Sequence, residues 1–228
     1  MRFEECIFKD VIKYLVRYPD GYEEGMRCPV LFCIHGAGGR GGSHEDFKKH
    51  PEMTHSAKME GFPFITVAPI CPKADGTWFD YFETLKDLIR FVISQDFTDP
   101  ARVYAMGASM GGYTTWELAM SMPECFAAIV PICGGGMYWN AGRLKNVPVW
   151  AFHGRLDTSV LVEESEKMVN AVNKRGGCAK LTIYPENKHD AWNDTFSNTE
   201  VYRWMLSHTN ENAKVLVNEY SGNVKEFG

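Results

Sequence analysis

The chain has 228 residues, 45% hydrophobic and 23% charged, the composition of an ordinary globular protein with length for one domain and a sizeable core. Its formal charge of −5, with Lys and Arg scattered rather than clustered, argues against nucleic acid or an anionic membrane as partner. Seven cysteines without a C-x-x-C pair, several inside apolar runs, point to a reducing, cytoplasmic setting rather than a disulfide framework. The opening Met1-Arg2-Phe3-Glu4-Glu5 lacks the pattern of a secretory signal, and no apolar run reaches transmembrane length.

In chain order, residues 12–18 read as a strand that turns at Tyr18-Pro19-Asp20-Gly21. Residues 30–34 form a continuous apolar run ending at His35-Gly36, and residues 64–68 a second one halted by Pro69. Between 81 and 93 the apolar Phe82, Leu85, Leu88, Ile89 and Val92 recur at helical spacing. A buried strand over 103–106 leads into Gly107-Ala108-Ser109-Met110-Gly111, and a helix follows over 113–122. Strands over 127–133 and 147–153 come next, then a helix over 161–172 closed by Gly176-Gly177. A last core strand over 181–184 and a helix over 199–206 precede a polar tail, 207–228, of unassigned role, with one strand-like run at 214–217. No internal repeat interrupts this series.

Near-continuous apolar strands alternating with helices predict an α/β fold whose mostly parallel central sheet is covered on both faces. Sites in such sheets form beyond the carboxyl ends of the strands. The segment 137–146 is too short for a large lid domain.

Strand, G-x-S-x-G, helix is the context of a nucleophile elbow, which makes Ser109 a candidate nucleophile. A serine hydroxyl needs a base to take its proton and a third group to orient that base. Just past the strand 147–153 comes Asp157; past the strand 181–184 comes His189, in the chain order serine, acid, histidine. Asp157 has a competing reading as a helix N-cap, but Thr158 or Ser159 can fill that place. His189 competes with an ordinary loop histidine; His208 falls beyond the last core helix, and Asp190 and Asp194 are weaker candidates for the acid. Acyl transfer also needs N–H donors aimed at the oxyanion. The N–H of Met110 and, from the loop His35-Gly36-Ala37-Gly38-Gly39, that of Ala37 are the candidates. No Lys-Ser/Thr follows these glycines, which disfavours a phosphate loop.

Several further segments accompany these. They are Val67-Ala68-Pro69 with Cys71-Pro72, Asp99-Pro100 before Arg102-Val103-Tyr104, and Pro131-Ile132-Cys133-Gly134-Gly135-Gly136. Val149-Trp150-Ala151-Phe152-His153-Gly154 with Asp157 and Tyr184-Pro185 with His189-Asp190-Ala191-Trp192 complete the set. Together with the elbow and the glycine loop, they resemble the α/β-hydrolase esterases of the phospholipase/carboxylesterase, feruloyl-esterase-like group. The resemblance is collinear from about Tyr14 to Trp204 and leaves out the tail. It implies Ser109, Asp157 and His189 as the triad, with Ala37 and Met110 as oxyanion donors. Thr158-Ser159 and Asn187-Lys188 depart from the group's usual residues without removing a catalytic group.

Trp78, Tyr138, Trp139 and Trp192 fall near predicted strand ends, where aromatic residues line a substrate pocket or close the core. His44, His50 and His55 show no ligand spacing, so no metal is expected, and no cofactor. Cys71 and Cys133 read as packing rather than chemistry. The expectation is a cofactor-free serine carboxylesterase acting on short acyl or aryl and carbohydrate esters at a fairly open site, losing activity when acid protonates its histidine. A peptidase of related fold and a non-catalytic binding protein are the alternatives. A dienelactone-hydrolase reading is disfavoured, since those enzymes use Cys where this chain has Ser109.

Overall fold

The computed structural model describes residues 2–54 and 59–213. Its strands are β1 (Arg2–Phe8), β2 (Ile12–Tyr18), β3 (Cys28–Ile34), β4 (Ile65–Ile70), β5 (Thr98–Ala108), β6 (Ala128–Ile132), β7 (Val149–Gly154) and β8 (Ala179–Tyr184). They form one sheet in the order β1-β2-β4-β3-β5-β6-β7-β8. β2 pairs antiparallel with both β1 and β4, and every pairing from β4 to β8 is parallel. The helices are α1 (His44–Lys48), α2 (Pro51–Thr54), α3 (Phe82–Ile93), α4 (Met110–Ser121), α5 (Val162–Lys174), α6 (Trp192–Ser197) and α7 (Thr199–Leu206).

The period of two explains why β3 is apolar throughout. Val30, Phe32 and Ile34 enter one core, while Leu31 and Cys33 enter the other. The first core receives Leu85, Leu88 and Ile89 of α3, Trp116 of α4 and Met168 of α5. The second receives Phe47 of α1, Met53 of α2, Phe196 of α6 and Tyr202 of α7. Between β6 and β7 there is only a 3-10 segment, Tyr138–Leu144, so no lid domain stands there.

Several elements differ from the sequence expectation: α1, α2 and α6 were not predicted, and β5 starts at Thr98 rather than 103. β4 is not halted by Pro69 but runs to Ile70. Its pairing with β3 ends at Val67, and Pro69 lies opposite Tyr14 of β2, so the missing N–H costs nothing on the β3 side. α4 starts at Met110 rather than 113, because Gly111 and Gly112 are helical despite their low propensity. β1 was not legible at all: it is an edge strand, half exposed, and the adjacent Glu4 and Glu5 break its alternation.

The start of the tail docks on its own chain. Tyr104 Oη donates to the His208 carbonyl at 2.8 Å, and the Asn210 N–H to that of Ala101 at 2.8 Å. The run at 214–217 lies outside the described residues.

Candidate active site

Ser109 joins β5 to α4 with φ +56° and ψ −119°, a left-handed conformation that a residue with a Cβ adopts only under constraint. Hydrogen bonds hold it: its N–H donates to the Ile132 carbonyl at 2.9 Å, and its own carbonyl accepts from Tyr113 N–H at 3.0 Å. The flanking glycines are required by close approach. A Cβ on Gly107 would lie 2.5 Å from the Gly111 carbonyl oxygen, and one on Gly112 would lie 2.4 Å from that of Ile132.

The loops after β7 and β8 are stitched together at Gly154, where a Cβ would lie 2.2 Å from the Lys188 carbonyl oxygen. Leu156 N–H donates to the Asn187 carbonyl at 2.9 Å, and Arg155 N–H to that of Tyr184 at 2.9 Å. This interlock brings Asp157 and His189 together. His189 Nδ1–H donates to Asp157 Oδ2 at 2.6 Å, and Ser109 Oγ lies 2.8 Å from His189 Nε2. Because the carboxylate only accepts, Nδ1 carries the proton in the neutral ring and Nε2 is left to accept from the hydroxyl.

The other oxygen of Asp157, Oδ1, accepts the N–H groups of Ser159 and Val160, each at 2.9 Å. Burial alone would raise this carboxyl's pKa, but the hydrogen bonds from His189, Val160 and Ser159 outweigh it and hold the group below the ordinary Asp value. Asp157 is not a helix cap, since the N-cap of α5 is Leu161. Of the rival acids, Asp194 accepts from Asn187 Nδ2, and Asp190 is exposed.

A second histidine braces the acid. His153, buried at the end of β7, donates from Nε2 to the Val160 carbonyl at 2.9 Å, and that same nitrogen is 3.5 Å from Asp157 Oδ2. Its Nδ1 lies 2.7 Å from Ser165 Oγ. Burial pushes its pKa down, favouring the neutral ring. The sequence marks His153 only as part of a strand end; its brace depends on a loop closing back over it.

On the other side, the glycine loop rises as a 3-10 turn, Ala37–Gly39. A Cβ on Gly36 would lie 3.3 Å from the Cβ of Ser109, so the backbone that leads to Ala37 runs directly beside the serine. Beneath it, His35 Nδ1–H donates to the Gly36 carbonyl, and its Nε2 accepts from Cys71 N–H at 2.9 Å. Trp78 Nε1 donates to the His35 carbonyl at 3.0 Å. Trp78 is therefore not a pocket wall, as the sequence allowed, but a fully buried support of the glycine loop.

A cavity of about 300 Å³ opens on Ser109, His189 and the glycine loop. Trp192 lines it, its ring edge-on to His189 at 5.3 Å. Tyr138 and Trp139 are absent from this wall: they are 38% and 60% exposed on the 3-10 segment after β6. His50 and Glu52 do line it, and the sequence gave no signal for either as a pocket pair. His50 immediately precedes a four-residue helix and Glu52 lies in its first turn, too short a segment to carry periodicity.

His44 Nε2 contacts the Cys6 carbonyl at 3.0 Å, while His55 lies outside the described residues. Cys133, at φ +38° beyond β6, is buried, and burial pushes its thiol up to about 12, far from a reactive thiolate. Its sulfur and the ligand atoms of Asp157 and His189 lie within 4.8 Å of one another. The two polar members of that group are already bonded to each other.

The described residues contain no helix long and apolar enough to cross a membrane. Over 91% of its length the chain superposes on a thermostable esterase with TM-score 0.77 and 28% identity, spanning 63% of that protein. Est1E from Butyrivibrio proteoclasticus gives TM-score 0.69 over 90% of this chain and 98% of that one. A feruloyl esterase module from Clostridium thermocellum gives 0.66 over 86% and 84%. At 16% identity each, these last two are likenesses of fold. In an alignment 132 positions long, covering 42% of this chain and 19% of the relative, the chain is 23% identical to dipeptidyl-peptidase 5 of Porphyromonas gingivalis. The fold is that of the α/β-hydrolases. Membership of the dienelactone hydrolase family, which the sequence reading disfavoured because of Ser109, is established by the match of residues 79–221 to that family: the chain belongs to it and carries a serine at the turn where a cysteine was expected.

Proposed function

We propose that the protein is a serine carboxylesterase, with Ser109 as nucleophile, His189 as general base and Asp157 as its orienting acid. The observation that carries this reading is the continuous pair of hydrogen bonds from Ser109 Oγ through His189 to Asp157, at 2.8 and 2.6 Å. Ser109 Oγ attacks the ester carbonyl while His189 Nε2 takes its proton. Asp157 keeps the ring in the required tautomer and stabilises the imidazolium. The N–H groups of Ala37 and Met110 donate to the developing oxyanion. His189 returns its proton to the departing alcohol, leaving an acyl-serine. A water then repeats the sequence: its proton goes to His189, its oxygen to the acyl carbon, and the acid leaves as Ser109 regains its hydrogen.

Short acyl and aryl or carbohydrate esters are the substrates this reading favours. The whole chain, 1–228, acts as one domain in it, and the seven free thiols suit a reducing cytoplasm. The match to a dipeptidyl-peptidase favours a second reading, peptide hydrolysis by the same groups. The test is hydrolysis of p-nitrophenyl acetate and of a dipeptide p-nitroanilide by wild type and Ser109→Ala. Ester turnover lost in the variant supports the proposal; turnover of the anilide alone supports the peptidase. Equal rates in both proteins overturn Ser109 as nucleophile.

A further inference from the structure

The cavity in front of Ser109 is mostly apolar, walled by glycine backbone, Pro51, Ala108, Trp192 and Phe196, yet it contains an acid and a base on one side. Glu52 is 1% exposed at its side chain, and its Oε2 lies 2.6 Å from Nδ1 of His50, which is 28% exposed. The two atoms are close but poorly aligned for an in-line hydrogen bond. A carboxylate removed from water is tolerated where it is paired, and the His50 ring is a partner it has here. Nothing in the acyl-transfer steps uses this one.

The His50 ring is fixed in place. It stacks on Phe47 at 5.0 Å with 7° between planes, and Phe47 also packs edge-on to His35 beneath the glycine loop. With Glu52 beside Nδ1, Nε2 is the ring nitrogen of His50 outside that pair, on a residue that lines the cavity. Burial disfavours the charged ring, but Glu52 outweighs it and the His50 pKa is raised.

We infer that His50, held by Glu52, is a specificity-determining residue that hydrogen-bonds a hydroxyl on the substrate, at the far end of an otherwise apolar acid or alcohol moiety. This rests on the esterase reading above. A hydroxyl fits both protonation states of the ring, because it donates to a neutral Nε2 and accepts from a charged one. A substrate carboxylate would meet Glu52, and an ammonium group would meet His50 whenever that ring is charged. An aliphatic or unsubstituted aryl ester would fill the apolar walls and leave Nε2 without a partner, which is where discrimination arises.

The experiment uses two ester pairs that differ by one hydroxyl. Methyl phloretate and methyl hydrocinnamate place it on the acid; tyrosol acetate and phenethyl acetate place it on the alcohol. For each pair, the ratio of kcat/KM is measured for wild type, His50→Phe, which keeps the stacking on Phe47, and the more conservative Glu52→Gln. Taking ratios within one protein cancels any general loss of activity or of folded fraction. Wild type is expected to prefer the hydroxylated ester about three- to tenfold in one pair, as one net hydrogen bond provides. The ratio should fall to about one in His50→Phe and part of the way in Glu52→Gln. The pair that responds identifies the moiety that enters the cavity.

A wild-type ratio near one in both pairs overturns the inference, as does a preference that survives both substitutions. The same pairs are titrated onto Ser109→Ala protein to give Kd ratios. If no ester is turned over, the esterase reading fails, and these Kd ratios still decide whether His50 selects a hydroxyl.

Discussion

A Cβ placed on Gly111 would lie 1.8 Å from the carbonyl oxygen of Ile34. The first turn of α4 is therefore in backbone contact with the end of β3, and this contact sets Ser109 against the glycine loop. Gly111→Ala must push the helix away from the sheet. We expect a loss of about 3 kcal/mol of stability, read from urea unfolding, together with most of the esterase activity. A variant within experimental error of wild type in both would show that the helix can shift freely.

Ser109 bears its positive φ at a cost that glycine would not incur. Ser109→Gly and Ser109→Ala should both lose about a thousandfold or more in kcat/KM. The glycine variant should be the more stable of the two by about 1–2 kcal/mol. Equal unfolding midpoints would mean that the turn holds no strain.

The carboxyl of Asp157 has its pKa depressed in the folded protein, so its ionised form contributes stability that is complete above the unfolded value of about 3.9. That contribution disappears as pH falls through the lower folded value. Asp157→Asn should therefore be less stable than wild type at neutral pH, with the gap closing below about pH 4. Urea denaturation across that range checks it, and a gap that stays constant would refute the linkage.

His153 acts on the site only through the loop that carries Asp157. His153→Leu leaves the Val160 carbonyl without its His153 partner and the Ser165 hydroxyl with the Gly134 carbonyl alone, at a cost of about 2 kcal/mol. We expect kcat to fall about tenfold with KM nearly unchanged, since the displaced group is Asp157 rather than a substrate contact. A rise in KM alone would place His153 in a binding role instead.

Trp78 supports the glycine loop with one hydrogen bond to the His35 carbonyl. Trp78→Phe should lower stability by about 1 kcal/mol and slow ester hydrolysis by loosening the Ala37 donor. Stability loss at unchanged kcat/KM would separate this support from the reaction.

Local patterns were legible wherever a residue's neighbours in sequence are also its neighbours in space. The apolar runs of β3, β6 and β7 and the spacing of Leu85, Leu88 and Ile89 announced themselves in this way. Pro69 misled because its effect depends on which strand lies opposite, and pairing partners are not written in a local window. The four aromatic candidates divided for the same reason. Trp78 went under the glycine loop, Tyr138 and Trp139 went to the surface, and only Trp192 reached the cavity.

The sequence by itself determined the alternating architecture and the serine turn, and it marked Asp157 and His189 as strand-end residues, because apolar periodicity and obligatory glycines are local constraints. Only the tertiary structure decided that Asp157 meets His189, that His153 braces the acid, and that His50 and Glu52 line one cavity with Ser109. Those contacts join loops from β3, β5, β7 and β8 with a short helix. Side chains so far apart along the chain meet only after the parallel sheet has aligned its carboxyl ends on one edge.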